Sequence, residues 1–197
     1  MKIIKTYVLS EKTLTKDIDK FIRDVKKGVY QYDYRYGQEG LKIIKAYFRM
    51  SEQELKKANY KEAIQAYEKL FSFLFQREYD YFNYEDIIGK FTMEKYVGNY
   101  FYALIQNKDD VFEKYLEYLK LTDEYYFESA FQSIKVNLSQ AKFQSFLQKA
   151  EEFLESDQTK KNYHCELAEN IVEYYCIKDK DKCTKLKEKF RNFLDND

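Results

Sequence analysis

Apolar residues recur at three- and four-residue intervals along most of this chain, the period of a helix that buries one face. Between Lys57 and Phe75, Ala63 and Tyr67 stand four apart and Leu70, Phe71 and Leu74 extend the stripe, predicting a helix from Tyr60 to about Arg77. The stripe before it, Leu41, Ile44, Tyr47 and Phe48, predicts a helix to about Lys57, with a turn at Ala58-Asn59. Two amphipathic helices joined by a short polar turn make an antiparallel α-hairpin.

On the N-terminal side, residues 1–9 read as a short strand or an extended lead-in, with Ser10 as a cap. Leu14, Ile18, Phe21, Ile22 and Val25 then predict a helix closed by Lys26, Lys27 and Gly28, a basic last turn followed by a glycine stop. Tyrosines alternate with polar residues over 29–40, which reads as an ordered aromatic loop because a lone strand has no mate. On the C-terminal side, the acidic aromatic segment 79–89 leads into a helix from Phe91 to Asn107, whose Gly98 is expected to admit a close neighbour. Val111, Tyr115, Tyr118 and Leu119 mark the next helix, which ends near Thr122-Asp123. Further helices are predicted from Tyr126 to about Asn137 and from Ser139 to about Leu154. A last hairpin, Thr159–Ile177 and Lys182–Leu194, is joined by the KDKD run.

The chain contains no proline and five glycines in 197 residues, so a β-rich fold would lack its usual turn chemistry. A hydrophobic content of 45% supports one core-bearing domain over 1–197. The expected fold is all-α: antiparallel α-hairpins stacked as a small solenoid or right-handed helical array, each unit burying its apolar face on the next.

The central hairpin resembles a tetratricopeptide repeat, with Tyr47 at the first large aromatic position, Ser51 at the small one, Tyr60 opening the second helix, and Ala63, Tyr67 and Leu70 at its packing positions. Glu54 stands where that family has an aromatic, and the closing proline is absent. A second likeness covers 28–105. Gly28-Val29-Tyr30, Asp33-Tyr34-Arg35, the hairpin and the 79–89 segment are similar to the helical region that accompanies SWIM zinc fingers. Neither the Cys-x-Cys nor the Cys-x-His of the finger is present, so that likeness implies fold and no nucleic-acid role.

Twenty-one tyrosines and sixteen phenylalanines with no tryptophan must do much of the packing. Rings on connectors are hard to bury, which makes Tyr32, Tyr34 and Arg35 in one and Tyr81 and Tyr84 in the other the candidate partner contacts. The 34 basic and 34 acidic side chains cancel, which argues against a general polyanion binder. Locally, Asp109–Glu128 carries seven carboxylates and two lysines, net −5, and Lys178–Arg191 carries seven basic and three acidic residues, net +4. These stretches could meet each other or separate partners. Lys5 interrupts the apolar N-terminus, and nothing approaches the roughly 18–20 apolar residues of a membrane span, so no membrane association and a cytoplasmic location are expected.

His164 is the only histidine, and Cys165, Cys176 and Cys183 are the only thiols. Cys165 and Cys176 lie about 16 Å apart along one helix, too far to share a metal. Cys176 and Cys183 flank the KDKD turn and could approach each other, although structural thiols are the expected state in a cytosolic chain. Asp80, Glu85 and Asp86 cannot be named an acid–base pair from spacing alone. The glycines are scattered singly, leaving no phosphate-cradling loop. No catalytic, cofactor or metal site is therefore expected. The function expected is a non-catalytic scaffold or adaptor that binds a protein or peptide through an aromatic-rich helical surface. The alternative is a nucleic-acid accessory protein using Lys180, Lys182, Lys185, Lys187, Lys189 and Arg191 on phosphates.

Overall fold

The computed structural model describes residues 19, 20, 23, 27, 45, 46, 48–74, 90–122, 127–157 and 161–194. Among these, every regular element is an α-helix, as the proline-free, 3.6-periodic sequence predicts. None is long and apolar enough to cross a membrane. The chain divides into two compact units, 1–92 and 93–197.

In the first unit, residues 48–56 form α1 and Tyr60–Leu74 form α2. Phe48, near the start of α1, meets Tyr67 and Phe71 of α2 at ring-centroid distances of 6.1 and 6.2 Å, so α2 turns back on α1. Ser51, Ala63, Tyr67 and Leu70 are all buried between them. The turn is a Schellman motif: the Ala58 amide donates to the Leu55 carbonyl, and the Asn59 amide to that of Glu54. Ala58 sits at φ 62°, the left-handed position that glycine usually fills. Glu54, the residue out of place in the repeat pattern, fastens this turn by accepting from Lys57 Nζ and Asn59 Nδ2, both at 2.6 Å. Those two hydrogen bonds hold its carboxyl below the ordinary carboxylate range.

The second unit holds all but the first three residues of α3 (Lys90–Asn107), with α4 (Val111–Thr122), α5 (Phe127–Asn137), α6 (Gln140–Ser156), α7 (Asn162–Lys178), α8 (Lys180–Lys189) and the short α9 (Arg191–Leu194). Connections between these helices are short. Phe101 of α3 meets Tyr115 and Tyr118 of α4, and Phe131 of α5 meets Phe143 of α6. Alternate helices also touch, α4 on α6 and α5 on α7. The core is largely aromatic. Phe146 lies at its centre, with Phe112, Tyr115, Phe131 and Phe143 all within 6.1 Å ring to ring.

Three details differ from the sequence expectation. Gly98 is not a point of steric contact, since a Cβ there would meet nothing within 4 Å. α5 reaches it through a hydrogen bond, Ser133 Oγ donating to the Gly98 carbonyl at 2.8 Å. The KDKD run is not a four-residue linker. Asp179 alone breaks the helix, because its carboxylate accepts from the Lys182 amide at 3.0 Å and so caps α8 from the first possible residue. Cys176 and Cys183 are not thiols but a disulfide, made possible by a Cα–Cα separation of 4.8 Å across that one-residue break.

Candidate functional site

The five residues proposed from sequence as partner contacts, Tyr32, Tyr34, Arg35, Tyr81 and Tyr84, lie outside the described residues, as do Tyr47 and the carboxylates of 79–89. Described aromatic rings are mostly interior: Tyr67, Phe101, Tyr115 and Phe131 are each exposed by 1% or less. A binding surface must therefore be sought where other residues surround a concavity.

Among the described residues, one such concavity is a groove of about 280 Å³ in the second unit, between the α3–α4 turn and the outer face of α6. Its floor is apolar, made by Ile105, Val111, Phe112 and Phe146 with Leu138 at one end. Phe112 and Phe146 are nearly inaccessible, 6% and 3% exposed, so only ring edges show. The rim is charged. Lys108 and Asp109 come from the turn, Asp110 from the start of α4, and Lys142 and Lys149 from positions about two turns apart on α6.

Each rim residue has a local reason for its place. The turn is a second Schellman motif, with the Lys108 amide on the Ile105 carbonyl and the Asp109 amide on that of Leu104. This holds Lys108 at φ 64°, where a side chain costs about 1 kcal/mol relative to glycine. Asp110 caps α4 by accepting from the Phe112 amide at 3.1 Å, and it pairs with Lys149 at 2.9 Å. The Lys149 hydrogen bond is the largest influence holding the Asp110 carboxyl below its usual range. Lys149 also lies 5.9 Å from the Phe112 ring centre. Asn107 Nδ2 donates to Asp109 at 3.0 Å. Both carboxylates thus have partners, while Lys108 and Lys142 are exposed and form no ion pair among the described residues.

A second concavity lies along the seam of α6 with α7 and α8, lined by Ala141, Gln144, Ser145, Gln148, Glu151, Tyr175 and Lys182. Lys182 Nζ is 2.8 Å from Glu151 and 3.9 Å from the centre of the Tyr175 ring. Burial works against the Lys182 charge, but Glu151 and the Tyr175 hydroxyl outweigh it and raise the pKa. A lysine serving as base or nucleophile needs the opposite shift, so this seam is a clamp. Lys189 pairs with Glu155 one helical turn away. Two of the six basic residues singled out in the sequence are thus spent on α6, and not on the acidic 109–128 stretch.

His164 is wholly buried. Its ring stacks on Tyr163, Phe153 and Phe193 at 4.3, 5.3 and 5.7 Å. Nε2 is 3.2 Å from Asp157, and Nδ1 has no hydrogen-bond partner among the described residues. Burial pushes its pKa down, with Asp157 opposing and Lys161 and Lys120 adding to the fall. Tyr115 is similarly enclosed, its phenol pushed up by burial and by Glu166. Both act as core rings. Among the described residues, no three of His, Cys, Asp and Glu converge on a point that could hold a metal.

Sequence reasoning missed the groove because its walls come from segments that look ordinary alone. Asn107–Asp110 reads as a polar turn, and Lys142 and Lys149 as the solvent face of an amphipathic helix. The one legible signal was Asp110 before Val111, a capping residue ahead of an apolar stripe. No protein-family model, curated protein or solved structure matches the chain.

Proposed function

We propose that the chain is a protein–protein interaction module: α-hairpins stacked in sequence order as a small tetratricopeptide-like array over 1–197, holding a partner segment on the surface. Support for the stacking in the second unit is the alternate contact of α4 with α6 and α5 with α7, together with the α8 lysines on α6. An array of this kind leaves concave surface between neighbouring hairpins. Support for binding is the groove itself, because an apolar floor ringed by a few placed polar groups is the usual form of a recognition site. Among the described residues the groove is the contact surface to test first; the tyrosine-rich connectors lie outside them.

Ser145 lies exposed on the wall that the groove shares with the second concavity. A photo-crosslinking amino acid at Ser145, introduced in the cells that naturally make the protein, is expected to give one discrete protein adduct. The same group at Glu173, exposed on α7 and away from the groove lining, is expected to give none. Equal labelling from both positions, or none from Ser145, defeats the reading. The competing role as a nucleic-acid accessory predicts that Ser145 adducts contain nucleic acid and that binding collapses as salt rises.

A further inference from the structure

We infer that the groove takes an acidic, amphipathic peptide segment, seating an apolar side chain over Phe112 and Phe146 and placing carboxylates against Lys108 and Lys142. This rests on the interaction-module reading and adds the chemistry of the partner. The floor is apolar, so one part of the occupant must be apolar. The charge on the rim is not balanced: Asp110 is engaged by Lys149, and Asp109, hydrogen-bonded to the neutral Asn107 amide, offsets only one of the two remaining lysines. Lys108 and Lys142 stand exposed without an ion-pair partner among the described residues. The net positive rim beside an apolar floor favours a carboxylate-bearing ligand over a basic one.

A groove of about 280 Å³ admits one large apolar side chain with its neighbours, not a whole domain. A short segment carrying one such side chain meets that requirement.

The test uses the full chain and two labelled peptides, each with a central phenylalanine and leucine. One is flanked by pairs of glutamates and the other by pairs of lysines. Fluorescence anisotropy is expected to show saturable binding of the glutamate peptide alone. The Lys108→Glu/Lys142→Glu variant, altered only at exposed positions, should bind it about tenfold more weakly and gain binding of the lysine peptide. Circular dichroism on the same samples verifies the fold. Equal binding of both peptides, binding of neither, or indifference to the charge reversal overturns the inference. A Ser145 adduct whose cross-linked segment proves neutral or basic sinks the acidic assignment while leaving the interaction module intact; no adduct from Ser145 sinks both.

Discussion

Phe146→Ala removes the ring on which the second unit converges. That ring is 3% exposed and contacts Tyr115 at 5.4 Å, Phe112 at 5.6 Å, Phe143 at 6.0 Å and Phe131 at 6.1 Å, drawing on α4, α5 and α6 together. Truncating a buried phenylalanine to alanine costs about 4 kcal/mol through lost transfer energy and the cavity left behind. Against a total stability of roughly 10 kcal/mol for a unit of this size, that is a large fraction. Phe146→Leu keeps most of the apolar burial and loses the ring pairs, so it should cost about 1 kcal/mol. Urea unfolding followed by far-UV circular dichroism measures both. The edge-to-face pair with Phe112 can be isolated in a double-mutant cycle and should show about 1 kcal/mol of coupling. A loss below about 1 kcal/mol for the alanine variant, or no coupling to Phe112, would refute the claim that aromatic packing holds these helices together.

Gly98→Ala should stabilise the chain by about 1 kcal/mol, since a Cβ meets nothing there and α3 gains helix propensity; a lower urea midpoint contradicts the open position. Opening the Cys176–Cys183 bridge, which closes a loop with a separation of seven residues, should cost about 2.4 kcal/mol by the loop-entropy relation. Dithiothreitol should reproduce that loss in the wild type and leave Cys176→Ser/Cys183→Ser unmoved; equal sensitivity in both would exclude the bridge. Burial holds the folded His164 pKa below its unfolded value of 6.5, so below pH 6.5 the unfolded chain binds more protons than the folded one. Stability contributed by neutral His164 is thus complete above that pH, falls as pH drops through it, and levels off below the folded value. His164→Phe, which keeps a ring between Phe153 and Phe193, should flatten this part of the profile; parallel profiles for variant and wild type would show that His164 does not titrate as described.

The helices were largely legible because their signal is local. The predicted boundaries at Asn137, Ser139 and Leu154 fall within a residue or two of the observed ends of α5 and α6. What escaped depends on approach in space. Cys176 and Cys183 could be placed either side of a turn, but their pairing needs backbone proximity that spacing does not fix. Asp179 looked like one member of a polar linker, and only its hydrogen bond to the Lys182 amide shows that it starts a helix. Gly98 invited a close-packing explanation, whereas Ser133 supplies the contact by reaching a carbonyl. The groove was out of reach for the same reason. Lys108, Phe112 and Lys142 belong to three elements, and no pattern within one helix couples them.

Placing the photo-crosslinker at Ser145 in two backgrounds, wild type and Lys108→Glu/Lys142→Glu, asks directly whether this groove recognises a partner by its charge. The account predicts a discrete protein adduct in the first background, mapping to a segment rich in aspartate or glutamate, and its disappearance in the second. An adduct of the same size and yield in both backgrounds would contradict it.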